Sequence, residues 1–269
     1  MIITTRHANA LGCVSGSWRI WSLSDGYADM PANLLKEPDG RVHALPRSLD
    51  QAGAMLRLSV NCFLLIGPNA EGILIDCGAG GSWDPTMGHL EAAMAEAGID
   101  PASVTTVAMT HTHSDHINGL LTPDGRELFT NLGRIVIASD AVEQFRAEKP
   151  LQRFAKLLAP VSDGERLADG LVAVAMPGHA RGHMGYRLST GEDDLLFCGD
   201  VIHVHAAQFA RPELTWTYDD NQTIARATRI RLLRQAADAH SWLAGAHMTW
   251  PGIGRIAADG PGYAFVPVA

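Results

Sequence analysis

Apolar residues along this chain fall into two patterns, compact runs and longer stretches at helical spacing. Residues 19–23, 58–66, 72–75 and 104–109 are rich in β-branched or apolar side chains and bounded by Gly, Asp or Pro, which predicts strands. Residues 134–138, 171–176, 185–188, 194–198, 241–244 and 263–266 repeat that pattern. Between them, residues 86–97, 141–149, 151–158 and 221–239 read as helices. Strands and helices interleave, with antiparallel-looking stretches at each end. The arrangement predicts an α+β fold, an αββα sandwich of two mixed β-sheets flanked by helices, rather than a doubly wound parallel sheet.

Residues 26–57 show neither period and contain Pro31, Pro38 and Pro46, yet carry Met30, Leu34, Leu35, Leu45, Met55 and Leu56. An irregular loop segment is expected there, serving either as a pocket rim or as a subunit contact. At 269 residues, 46% hydrophobic and 19% charged, the chain is expected to form a single domain, 1–269, with a large core.

The formal charge of −8 is spread out, and no run of Lys or Arg could follow a phosphate backbone, so nucleic acid is not an expected partner. No secretory pattern opens the sequence and no stretch is long and apolar enough to span a bilayer, so no membrane association and a cytoplasmic location are expected. Cys13, Cys62, Cys77 and Cys198 lie far apart and read as reduced, buried hydrophobes. Only Cys198 adjoins suspected chemistry.

That chemistry centres on Thr110-His111-Thr112-His113-Ser114-Asp115-His116, directly after the predicted strand 104–109. Residues two apart at a strand end project to one side, so His111 and His113 can hold one ion together. The chain then turns, and Asp115 and His116 can face a second. Chance clustering is a poor account of three histidines and an aspartate so close together, because burying them unpaired costs several kcal/mol. Four donors cannot fill two catalytic sites, and further donors do close later strands: Pro177-Gly178-His179, Cys198-Gly199-Asp200 and Gly245-Ala246-His247.

In order and spacing, the H-x-H-x-D-H motif, the Pro-Gly-His turn with His183 after it, the Gly-Asp and the late His resemble the metallo-β-lactamase superfamily. Ile75-Asp76-Cys77-Gly78 resembles that family's early strand end. The resemblance implies the family's fold and two divalent ions, Zn²⁺ first, with Mn²⁺, Co²⁺ or Fe²⁺ as alternatives. His111, His113 and His179 would hold one ion, Asp115, His116 and His247 the other, and Asp200 would bridge them. His183 would then be structural, and Asp76 would orient a ligand imidazole.

Two such ions can share a water and lower its pKa to near 7, giving a bridging hydroxide for hydrolysis of an ester-like bond; Asp115 could also orient it or carry a proton. The stretches around Asp200 and His247 resemble the branch with methyl parathion hydrolases and some acyl-homoserine lactone lactonases. That implies a lactone, carboxylic ester or phosphotriester as substrate, with a homodimer as an expectation by analogy, and the lack of an Arg and Lys cluster in the sequence favours a small, neutral, hydrophobic one. In typical acyl-homoserine lactone lactonases a tyrosine three residues after the bridging aspartate is held to assist at the substrate carbonyl. His203 stands there, either as a replacement hydrogen-bond donor or as a satisfied structural histidine. Phe209, Trp216, Tyr218 and Trp250 are either pocket walls or core. The alternatives are a hydroxyacylglutathione-type thioesterase and an iron-dependent redox enzyme on the same scaffold.

Overall fold

The structure, a computed structural model, describes residues 1–44 and 55–268. Leu45, one of the apolar residues of the 26–57 segment, lies outside the described residues. Two large sheets form the framework. The first takes β1 (Ile2–Arg6), β2 (Ala10–Ser15), β3 (Trp18–Pro31), β4 (Met55–Ile66), β5 (Gly72–Ile75), β6 (Val104–Ala108), β7 (Arg134–Ala138) and β8 (Leu158–Val161), in that order across the sheet. Neighbours from β1 to β5 are antiparallel, and those from β5 to β8 are parallel.

The second sheet comprises β9 (Arg166–Ala168), β10 (Leu171–Ala175), β11 (Met184–Ser189), β12 (Asp194–Phe197), β13 (Trp242–Ala244), β14 (Ile253–Asp259) and β15 (Gly262–Pro267), again in sequence order. Here only β12 and β13 are parallel. Both sheets are therefore mixed. Their inner faces share one apolar cluster that runs from Leu11, Ile20 and Leu65 to Leu171, Leu188 and Ile253. Phe63 of β4 meets Phe197 of β12 across the gap, with ring centroids 5.4 Å apart.

Helices cover the outside. α1 (Leu90–Glu96) buries Leu90, Ala93 and Met94. α2 (Ser114–Ile117), α3 (Val142–Ala147) and α4 (His205–Gln208) are short. α5 (Gln222–Asp238) buries Ala225, Thr228, Arg229, Leu232, Leu233 and Ala236, one stripe at helical spacing. Leu232 and Leu233 pack with Leu243 and Ile256 of the second sheet, each leucine worth about 1.5–3 kcal/mol relative to exposure. The result is the expected αββα sandwich.

Several elements depart from the sequence-based expectation. The segment 26–57 is not irregular throughout, since β3 continues to Pro31 and pairs with β4 down to Met55. A bulge between Ser24 and Gly26 shifts the register, and Gly26 adopts φ +120 beside the Thr86 carbonyl. That break interrupts the two-residue period by which the strand would be recognised. The helix expected over 86–97 begins only at Leu90, because Gly88 takes φ +84. The helix expected over 151–158 is a 3-10 stretch, Lys149–Leu157, and Leu158 already belongs to β8.

Candidate metal centre

Every donor named from the sequence sits at the carboxyl end of a strand or in the turn beyond it. His111 and His113 follow β6, and α2 carries Asp115 and His116. His179 lies beyond β10, Asp200 beyond β12 and His247 beyond β13. The parallel pairs β5–β6 and β12–β13 put these ends on one side of the sandwich, so residues far apart in sequence converge. Within each of two groups, His111, His113, His179 and Asp200, and Asp115, His116 and His247, the candidate ligand atoms lie within 4.8 Å of one another.

Asp200 is the hub. Its Oδ2 lies 3.0 Å from His247 Nε2, 3.2 Å from His179 Nε2, 3.4 Å from His203 Nε2 and 3.8 Å from His111 Nε2. Its Oδ1 lies 3.2 Å from His116 Nε2. Asp115 Oδ2 is 3.5 Å from His247 Nε2 and 3.7 Å from His116 Nε2. His113 Nδ1 and His179 Nε2 face each other at 3.0 Å.

The opposite edges of the rings are anchored. His116 Nδ1–H donates to Asp76 Oδ2 at 2.8 Å, and His179 Nδ1–H donates to Asp219 Oδ1 at 2.9 Å. His247 Nδ1–H donates to the Ser59 carbonyl at 2.8 Å. The Thr110 hydroxyl donates to Asp76 and so accepts from His111 Nδ1–H at 3.0 Å. With the Nδ1 protons committed in this way, each neutral imidazole turns an Nε2 lone pair toward the others and toward a carboxylate. Such an arrangement is repulsive unless cations lie among the donors. Among the described residues, the buried atoms His111 Nε2, His116 Nε2 and Asp200 Oδ1 have no hydrogen-bond partner. Nitrogen and carboxylate donors left open in this way fit zinc-like divalent ions.

The ionisation of the bare site shows the same tension. Burial, reinforced by the neighbouring His116, holds His111 well below the usual histidine range. At His116 burial is outweighed by Asp200, Asp115 and Asp76, which push it well above that range. His179 rises to about 9, because Asp200 and Asp219 overcome burial. Asp200 stays well below the carboxylate range, burial being outweighed by His247, His116 and His111.

His183 differs from the others. Its Nε2 accepts the Asp200 backbone N–H at 3.0 Å and its Nδ1–H donates to the Met176 carbonyl at 3.0 Å, so both nitrogens are used. Burial pushes it down to about 3. His203 is buried with neither nitrogen hydrogen-bonded among the described residues. It stacks on Trp216 with centroids 5.1 Å apart. Burial lowers it to about 4, with Asp200 opposing.

The site floors a cavity of about 430 Å³ lined by His113, Asp115, His179, Asp200, His203 and His247, with Ala28, Met30, Leu58, Trp83, Trp216 and Tyr218 among its walls. Ala28 and Met30 come from the segment 26–57. Of the four aromatics marked in the sequence, Trp216 and Tyr218 line the cavity, whereas Phe209 joins the core beside α5 and Trp250 packs on the main core. Cys198 is fully buried and burial pushes its thiol to about 12, so it offers no thiolate. Sequence reasoning missed Asp219, whose only local signal is an acidic residue just before a helix, a common feature of helix starts.

The family model described as Metallo-beta-lactamase superfamily matches residues 55–247. The hydroxyacylglutathione hydrolase of Vibrio cholerae is 30% identical over 125 residues, covering 45% of this chain and 40% of that protein. The chain thus spans about two fifths of that relative's length. Among solved structures, hydrolase AbOPH of the β-lactamase superfamily superposes with TM-score 0.83 at 25% identity, over 98% of this chain and 99% of that one. The dizinc quorum-quenching lactonase AidC superposes with TM-score 0.82 at 22% identity, over 97% and 98%.

Proposed function

This chain belongs to the metallo-β-lactamase superfamily, and we propose that it is a metal-dependent hydrolase of a small, uncharged, largely apolar ester-like substrate. Lactones, carboxylic esters and phosphotriesters are the candidate classes. His111, His113 and His179 would hold one divalent ion and Asp115, His116 and His247 a second, with Asp200 between them. Divalent cations there would supply Lewis acidity and lower the pKa of a water toward about 7.

The chain's own residues account for the rest. His203, held flat against Trp216 next to Asp200, can donate Nε2–H to the carbonyl or phosphoryl oxygen of a substrate in the cavity. Asp115 lines the cavity and can hold the attacking water in line or take its proton. Trp216, Met30 and Leu58 offer apolar surface to an acyl chain or aryl leaving group and exclude bulk water.

The carrying observation is a cavity floored by these histidines and aspartates, with no Lys or Arg among the described residues that line it. The relatives that are hydroxyacylglutathione hydrolases favour a second reading, a glutathione thioesterase. Glutathione is anionic, and among the described lining residues the one charged group outside the Asp and His cluster is Asp220, which would repel it. A panel of lactones, aryl esters, phosphotriesters and glutathione thioesters on zinc-reconstituted protein tests the choice. We expect kcat/KM for a neutral lactone or ester to exceed that for the thioester at least tenfold; the reverse order establishes the second reading.

A further inference from the structure

We propose that the buried pair Asp219 and Arg229 is a positioning device for His179, fixing the tautomer and aim of that imidazole and so the affinity of the metal position on its side of the site. The inference rests on the metal-binding reading above. Arg229 lies in the buried stripe of α5, between Thr228 and Leu232, where an apolar side chain would pack without desolvating a charge. It is 1% exposed. Its Nε–H donates to the Pro212 carbonyl at 3.2 Å and an Nη1–H donates to the Val201 carbonyl at 3.3 Å. Its Nη2 stands 4.0 Å from Asp219 Oδ2. One guanidinium therefore joins the turn that carries Asp200 to the loop that carries Asp219.

Asp219 is buried as well, and its two oxygens point to different partners. Oδ2 accepts the Trp216 N–H at 3.1 Å, and Oδ1 accepts His179 Nδ1–H at 2.9 Å. The following residues clamp the backbone of the same histidine: the Asp220 N–H donates to the His179 carbonyl and the Asn221 N–H to the Gly178 carbonyl, both at 2.9 Å. A single short stretch thus holds His179 by ring and by main chain. Within its group, His111 has only a neutral hydroxyl, Thr110, at its Nδ1. A carboxylate partner makes an imidazole a stronger donor than a hydroxyl does, and losing such a partner typically weakens metal binding about 10- to 100-fold. Nothing in this arrangement requires Asp219 to touch substrate.

The test is a Zn²⁺ titration of metal-free protein against a chromophoric chelator, with the visible spectrum of the Co²⁺-loaded protein as a second readout. In Asp219→Ala and Arg229→Met we expect one of two equivalents to weaken about 10- to 100-fold, the other to hold, and the Co²⁺ bands of the weakened equivalent to shift. Asp219→Asn keeps a carbonyl that can accept from Nδ1–H and should recover part of the affinity. A role in packing alone predicts a lower melting temperature with both equivalents at wild-type affinity and no recovery by Asn over Ala, and that outcome overturns the proposal. Should Asp219→Ala fail to fold, wild-type affinity in both Asp219→Asn and Arg229→Met overturns it equally. Failure of the wild-type chain to bind Zn²⁺ at all would instead remove the metal-binding reading on which the inference stands.

Discussion

One carboxylate, Asp200, faces five imidazoles at distances of 3.0 to 3.8 Å, so its charge is the most consequential in the molecule. Asp200→Asn keeps the shape and removes the charge, and His113→Ala removes a donor at the cavity edge. Each should lower hydrolysis more than about 100-fold while circular dichroism stays that of the wild type. Full activity in either variant removes that residue from the site. A second buried carboxylate, Asp25, lies away from it and accepts N–H groups from Ala79, Gly88 and Leu90. Burial pushes it up to about 6 despite those bonds. Folding therefore favours its protonated form: its contribution to stability is full below about pH 4, the unfolded value, and is lost as pH rises through about 6. The stability of Asp25→Asn relative to wild type should improve between pH 4 and pH 7, by up to about 3 kcal/mol. Melts at both pH values check this, and a pH-independent difference refutes it. The candidate ligand residues that the structure brings together were legible in the sequence because each follows an apolar run and a small residue or clusters with its neighbours. Asp219 and the Ser59 carbonyl were not, because they meet His179 and His247 across 40 and 188 residues of chain.

Among the elements, uninterrupted apolar runs were found almost to the residue, as with β5 and β7, where every side chain after the first residue is apolar. Those whose period is broken were not. The second half of β3 was hidden by the bulge at Ser24–Gly26, and the start of α1, displaced by the positive φ of Gly88, is held by Asp25, which accepts the Leu90 N–H from a distant strand. The turn Met176-Pro177-Gly178-His179 could be read, but the reason for its glycine could not. Gly178 adopts φ +129, and a Cβ there would come within 2.1 Å of the Ala225 backbone nitrogen on α5. Gly178→Ala must therefore strain the turn and push the first turn of α5 away from His179. We expect a loss of about 2 kcal/mol or more, seen as a lower melting temperature, together with weaker Zn²⁺ binding. A variant that melts with the wild type would show that the helix start yields freely.

For the molecule as a whole, the sandwich was legible because antiparallel-looking runs lie at both ends of the chain with helices between, whereas which neighbouring strands pair in parallel depends on long-range contacts that no local pattern encodes. The same holds for substrate selection. The candidate ligands follow from the motifs, but the described walls of the cavity come from β3, β4, the segment before α1 and the segment before α5, and only folding shows that, among the described residues, none of them brings a cation. With a formal charge of −8 on the chain and no Lys or Arg among the described lining residues, the protein surface around the cavity mouth should carry a negative potential. A neutral lactone or ester is indifferent to that potential, so its kcat/KM should stay flat between about 10 mM and 500 mM salt, over which the Debye length falls from about 30 Å to a few Å. An anionic glutathione thioester is repelled at low salt, and its kcat/KM should rise severalfold as screening sets in. Steady-state kinetics with both substrates across that range separates the cases. A thioester rate that falls with salt would mean that a cationic surface guides the substrate in, and the reading of a neutral, apolar substrate would be lost.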